Sequence, residues 1–316
     1  MLNYNLGARH PLKPERLRRA VELLKRYGVE PVDPGAGDVK DVLRLHAPDY
    51  VDAVRELSLD PTDPIGDDYG LSGGDTPAFE GIYEASLAYV AGTARAAEEV
   101  RDGSRLAFGL GGGLHHAHRA RASGFCVFDD PAIACHILRE RFDRVAYVDI
   151  DVHHGDGVQG LFAKDPTVLT CSIHQTPQTL FPGTGFAWET GPGNSIVNVP
   201  VDPRTHGEEW LEMFREGIMS ALFRFNPQAV VLQMGADAHY LDPLANLLVS
   251  QACWLEAVAD IGALDLPTVA VGGGGYEITT VPRMWASAVL TLMEIPFADE
   301  LPRDLAEAWG TPTFSD

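Results

Sequence analysis

The 316-residue chain has no apolar run near the roughly 20 residues a bilayer span requires, which excludes a membrane-spanning helix. Basic residues are scarce: 24 Lys and Arg stand against 45 Asp and Glu, a net charge of −21. Such a surface repels nucleic-acid phosphates and anionic membranes. It attracts cationic partners such as lysine-rich peptides or polyamines, although an acidic excess also serves solubility. Cysteine is rare. Cys126, Cys135, Cys171 and Cys253 form no C-x-x-C pair and sit in apolar surroundings typical of buried thiols, the pattern of a reduced, cytoplasmic chain. Residues Met1 to Asn5 lack the basic and apolar regions of a signal peptide. Linkers, repeats and low-complexity tracts are also missing, so residues 1–316 read as a single domain.

Helical spacing of Leu17, Val21 and Leu24 predicts a helix from Pro14 to Tyr27, closed by Gly28. A turn-rich loop spans Pro31 to Gly37. Further helices are expected over Pro48 to Leu57 and about Phe79 to Val100. The Pro-, Gly- and Asp-rich stretch Asp60 to Thr76 reads as an exposed loop. Beyond it, short runs rich in Val, Leu and Ile alternate with helical stretches: Leu106 to Leu110, Val145 to Ile150, Val168 to Ile173, Ala229 to Met234 and Thr268 to Val271. Runs without polar alternation are strands buried on both faces, as in a parallel sheet, so one layered α/β domain is expected.

Polar residues gather where these strands end, the edge on which open parallel sheets build their sites. Asp149-Ile-Asp151-Val-His153-His154-Gly-Asp156-Gly157 follows the strand from Arg144 to Val148. Alternate residues of an extended chain share a face, so Asp149, Asp151 and His153 point together. Carboxylate and imidazole are ligands for zinc or a similar first-row metal, and a solvated acidic loop is a poor alternative after so apolar a strand. A hydrolytic zinc needs a third protein ligand. Asp237, just past the run Ala229 to Met234, suits that place, although by itself it could be a helix N-cap. Gly111-Gly-Gly-Leu-His115-His116-Ala117 ends another strand. Two histidines there suit base and electrostatic work on water, unless they are structural. Asp149 and Asp156 are left to orient one histidine each. Gly272-Gly-Gly-Gly275-Tyr276 could bring a phenol to an oxyanion or cradle phosphate, but no Lys follows it as a P-loop demands.

In this order, these segments resemble the histone-deacetylase-like amidohydrolases, through nearly the whole chain. His10 to Arg16 is similar to the family's opening motif. Gly111 to Ala117 resembles its histidine-dyad motif, and Asp149 to Gly157 its metal loop almost letter for letter. The resemblance implies a three-layer αβα fold with a mostly parallel central sheet, of the arginase type. It implies metal on Asp151, His153 and Asp237, zinc or ferrous iron, since both accept these ligands. His116, paired with Asp156, would be general base and then acid. His115, paired with Asp149, would be mainly electrostatic, and Tyr276 would stabilise the oxyanion. Asp75 would hold the substrate backbone at the rim. Phe125, Phe181 and Leu244 would line the tunnel, with Gly274 beside the substrate. A potassium ion is implied on Asp149, Asp151, His153, Ser172 and Ile173. A second matches Phe162, Asp165, Val168 and Ser195 more loosely.

Leu114, where many eukaryotic members carry Trp, and Asp129-Asp130, in place of an aromatic-Asn pair, are similar to the bacterial acetoin-utilisation branch and weaken histone as substrate. His239 and Tyr240 follow Asp237, where relatives often have small apolar residues. Members usually open with a β-strand before the His10 motif. Here only Met1 to Tyr4 precede it, so either the reading frame extends upstream or the sheet has lost a strand. The expected substrate is an acetylated protein, or a small acetylated cationic amine; a non-catalytic acetyl-lysine binder is disfavoured because the whole constellation is present. An arginase-like site with two manganese ions needs more Asp and His ligands than this one metal loop offers.

Overall fold

The structure, a computed structural model, describes residues 2–316, so Met1 lies outside the described residues. Six strands form one all-parallel sheet: β1 (Leu106–Gly109), β2 (Val145–Asp149), β3 (Val168–Gln175), β4 (Ile196–Val201), β5 (Ala229–Gln233) and β6 (Thr268–Val271). Their spatial order is β1-β6-β5-β2-β3-β4. Around it lie α1 (Glu15–Lys25), α2 (Val39–Val42), α3 (Pro48–Leu59), α4 (Gly66–Tyr69), α5 (Ile82–Asp102) and α6 (Asp130–Leu138). There follow α7 (Asp156–Phe162), α8 (Gly207–Phe214), α9 (Ser220–Phe225), α10 (Gln251–Gly262), α11 (Thr280–Leu292) and α12 (Arg303–Trp309).

Strand pleating explains the three layers. In β2, Val145 and Tyr147 pack with α3, α5 and α6, whereas Ala146 and Val148 pack on the opposite face with α8, α10 and α11. In β5, Val231 and Val230 divide the same way. Both faces are covered, so these strands carry no polar alternation until their ends. A third cluster joins Leu23 and Leu24 of α1 to Val289, Leu305, Trp309 and Phe314. Among the described residues, no helix is long and apolar enough to cross a membrane.

Three expectations need amendment. Asp60 to Thr76 contains α4, and its Leu71 and Thr76 are fully buried, so it is a packed segment and not a wholly exposed loop. β4 lies outside the expected strands because Asn198 and Pro200 interrupt its apolar run; as an edge strand it tolerates Pro. Cys253 is only partly buried, unlike the other three thiols. At the opposite edge, β1 has no outer strand partner among the described residues. A cavity of about 570 Å³ lies beside it, lined by Leu106, Phe108, Val29, Val32, Ala96 and Val289.

Candidate active site

Parallel strands put all their carboxyl ends on one edge, and four of them meet there: those of β1, β2, β5 and β6. The turns after β1 and β6 approach so closely that side chains are excluded. Gly113 has φ +92°, and a Cβ on it would stand 2.4 Å from Gly272 O. Asp130, at the start of α6, holds the β1 turn: Oδ2 accepts from Gly113 N at 2.8 Å and Oδ1 from Leu114 N at 2.9 Å, while Thr93 Oγ1 donates at 2.6 Å.

Asp151, His153 and Asp237 are buried, with one ligand atom from each lying within 4.8 Å of the others. Hydrogen bonds hold both carboxylates, and Asp151 Oδ1 accepts from His153 N at 3.0 Å. Asp151 Oδ2 accepts from Gln233 Nε2 at 2.8 Å and Gly274 N at 2.7 Å, and Asp237 Oδ1 accepts from Val152 N at 2.8 Å. One oxygen of each faces the same nitrogen: His153 Nδ1 is 3.1 Å from Asp151 Oδ1 and 3.0 Å from Asp237 Oδ2. Burial, reinforced by the charge of Asp151, pushes Asp237 up to about 7. Burial also pushes on Asp151, but His115 and His153 outweigh it and hold that carboxyl well below its ordinary range. Two buried carboxylates converging on an imidazole nitrogen are a donor set of the kind a divalent cation fits.

The dyad has two unlike members. His115 Nδ1 donates to Asp149 Oδ2 at 2.7 Å, which also accepts from Tyr147 OH at 2.6 Å. Burial opposes its charge, but Asp149 and Asp151 prevail and raise its pKa to about 10. His116 Nδ1 donates to Asp156 Oδ1 at 2.7 Å. Burial and then the neighbouring His115 cation lower it to about 4, so it is neutral at pH 7 with Nε2 open to a proton. Burial, then the charges of Asp237 and Asp151, push the Tyr276 phenol well above its ordinary value. Its backbone N–H donates to Asp242 Oδ2 at 2.7 Å, and Asp242 Oδ1 accepts from Leu244 N at 2.9 Å. One carboxylate thus ties the Leu244 segment to the Tyr276 turn.

The aromatic residues gather around this centre. Phe181 is 42% exposed, its ring 5.0 Å from that of His116 and 6.4 Å from that of His153. Phe125 meets Tyr276 edge-on at 5.7 Å and His10 at 4.4 Å. Asp75 is exposed, and its carbonyl bonds His10 Nε2 at 3.0 Å. Ser172 lies beside Asp149 in the β2–β3 register, followed by buried Ile173. Ser195 Oγ is buried without a partner. His239 turns to Asp316, 2.7 Å away, while Tyr240 is exposed.

Several contributors escaped the sequence reading. Buried Arg16 donates to Gly273 O at 2.7 Å and Gly275 O at 2.9 Å, fastening the Tyr276 turn. Tyr4 OH donates to Phe125 O at 2.6 Å. His154, quoted only within the metal loop, donates from Nε2 to Gln159 Oε1 at 2.8 Å and accepts at Nδ1 from Thr184 Oγ1 at 2.9 Å, anchoring the segment of Phe181. Their importance lies in contacts across long sequence separations, which local motifs do not signal.

A model of the histone deacetylase domain matches residues 10–292. Similar proteins include the acetoin utilization protein AcuC of Bacillus subtilis, 38% identical over 97% of this chain and 83% of that protein. Histone deacetylase clr6 of Schizosaccharomyces pombe is 35% identical over 98% of this chain and 78% of that protein. Histone deacetylase 8 of Danio rerio is 33% identical over 92% and 79%.

Proposed function

The chain belongs to the histone deacetylase family and is a metal-dependent deacetylase, and we propose that its active centre is Asp151, His153 and Asp237 around a zinc-type ion, served by His116, His115 and Tyr276. The convergence of those three ligand residues carries the proposal. A bound divalent metal supplies Lewis-acid activation of water and of the acetyl carbonyl. His116 is neutral and held by Asp156, so it accepts the proton of the attacking water and returns it to the leaving amine. His115, cationic against Asp149, offsets negative charge as it develops. The protonated phenol of Tyr276 donates to the tetrahedral oxyanion. Phe125, Phe181 and Leu244 flank the acyl chain, Gly274 lies beside it, and Asp75 receives the substrate backbone at the rim.

The whole chain, 1–316, acts as a single deacetylase domain. Ferrous iron suits the same ligands. Potassium at Asp149, Asp151, His153, Ser172 and Ile173 is supported by the adjacency of Asp149 and Ser172 on β2 and β3. The unpartnered Ser195 hydroxyl favours a second ion near Phe162, Asp165 and Val168. Four free thiols fit a reducing cytoplasm.

The substrate is acetyl-lysine in a protein. The exposed carboxylates Asp67, Asp68 and Asp75 favour a second reading, a small acetylated cationic amine such as an acetylpolyamine. Turnover of acetyl-lysine peptides and acetylpolyamines by the metal-loaded enzyme tests both. Higher kcat/KM on the peptides supports the first; turnover confined to the amines replaces it with the second.

A further inference from the structure

Asp129 stands behind the dyad, outside the residues assigned above. It is fully buried at the N-terminus of α6, where its Oδ1 accepts from Ala132 N at 2.9 Å. Its backbone N–H donates to His46 Nε2 at 2.9 Å. The other oxygen, Oδ2, is buried with no hydrogen-bond partner. Two backbone carbonyls share its neighbourhood. The point a Cβ would occupy on Gly157 is 2.6 Å from Asp129 Oδ2, 2.6 Å from His115 O and 2.5 Å from Ala117 O. Three oxygens therefore crowd the junction of the dyad loop, α6 and the start of α7. His115 O at that junction already accepts from Gly157 N at 3.0 Å and Val158 N at 3.4 Å, which leaves Ala117 O as the open acceptor. An ionised carboxylate with one buried oxygen left without a donor is a costly buried charge. A carboxylic acid has a proton to give, and a carbonyl oxygen has two lone pairs to receive it.

We propose that Asp129 is a neutral carboxylic acid whose Oδ2–H donates to the carbonyl of Ala117, making it a positioning residue for the backbone that carries the dyad.

The charges nearby favour this state. Adjacent Asp130 takes three donors, from Thr93, Gly113 and Leu114, and is the better place for a single negative charge. Asp129 is also faced by Cys135 of α6, Cys126, Tyr147 of β2, His46, Asp156 of α7 and the His115 cation. Burial above all, with the charges of Asp130 and Asp156, pushes its pKa well above the ordinary range despite Ala132 N–H and His115.

The proposal rests on the dyad roles given under the proposed function, but its test does not. Asp129→Asn puts an amide N–H where the acid proton stands; Asp129→Ala removes it. The metal-loaded enzymes are compared by infrared difference spectroscopy at neutral pH and by kcat, KM and metal content. The wild type should show a protonated-carboxyl C=O band that Asp129→Asn lacks. Asp129→Asn should keep wild-type kcat, and Asp129→Ala should lose about 10- to 100-fold in kcat with metal retained, the usual scale for a group that orients an active-site residue. The proposal is overturned if no carboxyl band disappears in Asp129→Asn, if that variant is as impaired as Asp129→Ala, or if Asp129→Ala matches wild type. Should Asp129→Ala not fold, the band and the Asn variant still decide. A normally active His116→Ala enzyme would sink the dyad roles and leave the band untouched.

Discussion

Adjacent histidines acquire opposite characters when their carboxylates sit in unlike surroundings. Asp149 and Asp151 together overcome burial and make His115 a cation, whereas burial, then the charge of His115, keeps His116 neutral despite Asp156. His116→Ala should therefore keep metal and lose about 10²–10⁴ in kcat, the usual worth of a positioned base; ordinary turnover would end that assignment. The same asymmetry sets a pH profile. With its pKa lowered to about 4, His116 remains a base as pH falls through 6.5, where an unperturbed imidazole would protonate. The acid limb of kcat/KM should lie below pH 6, measured with metal content checked; a midpoint at 6.5 or above contradicts it. Tyr276→Phe should preserve KM and cost about 10²–10³ in kcat, because only a transition-state contact is lost. A raised KM with unchanged kcat would make Tyr276 a binding group. At this scale the clustering of Asp151, His153 and Asp237 and the pairing of His115 and His116 with Asp149 and Asp156 were legible, since acids and histidines ending an apolar strand have little other use. The supporting roles of Arg16, Gln233 and Asp130 were not, because each acts on another element: Arg16 on the Gly273 turn, Gln233 on Asp151 and Asp130 on the Gly113 turn.

The turns are where elements and site meet. Gly274 donates its N–H to Asp151 Oδ2, and a Cβ there would lie 2.0 Å from Asp237 Oδ2 and 2.8 Å from Asp151 Oδ2. No rotation of a methyl group relieves this, so Gly274→Ala must displace a carboxylate proposed to hold metal. We expect metal affinity to fall about 10- to 100-fold, the scale seen when ligand orientation is disturbed, with kcat recovering in part at saturating metal. Unchanged affinity by competition with a chelator would show that the turn yields instead. The β2, β3, β5 and β6 strands were readable because burial on both faces favours short runs rich in Val, Leu and Ile. β4 was not, since an edge strand escapes that demand and admits Asn198 and Pro200. Asp60 to Thr76 misled for the converse reason: its Pro, Gly and Asp signal turns, yet Leu71 anchors the segment in the core.

Over the whole molecule, the net charge of −21 extends the effect of the exposed carboxylates at Asp67, Asp68 and Asp75. A field of one sign raises the local concentration of an oppositely charged ligand and its rate of encounter. Salt screens it, with a Debye length of about 10 Å at 0.1 M and about 3 Å at 1 M. The buried dyad and ligand residues interact over shorter distances and through hydrogen bonds, so salt should leave the chemical step almost untouched. The two contributions can therefore be separated on one enzyme. For an acetyl-lysine peptide flanked by lysines, kcat/KM should fall steadily as salt rises, while kcat stays constant. For a peptide of the same length with neutral flanks, both should be nearly flat. Asp67→Asn combined with Asp68→Asn should lower the low-salt kcat/KM for the cationic peptide and flatten its salt dependence, without changing the neutral one. If cationic and neutral peptides respond to salt alike, the acidic surface does not steer substrate and serves solubility alone. If the double variant keeps the full salt slope, the field comes from the overall charge and not from these two carboxylates.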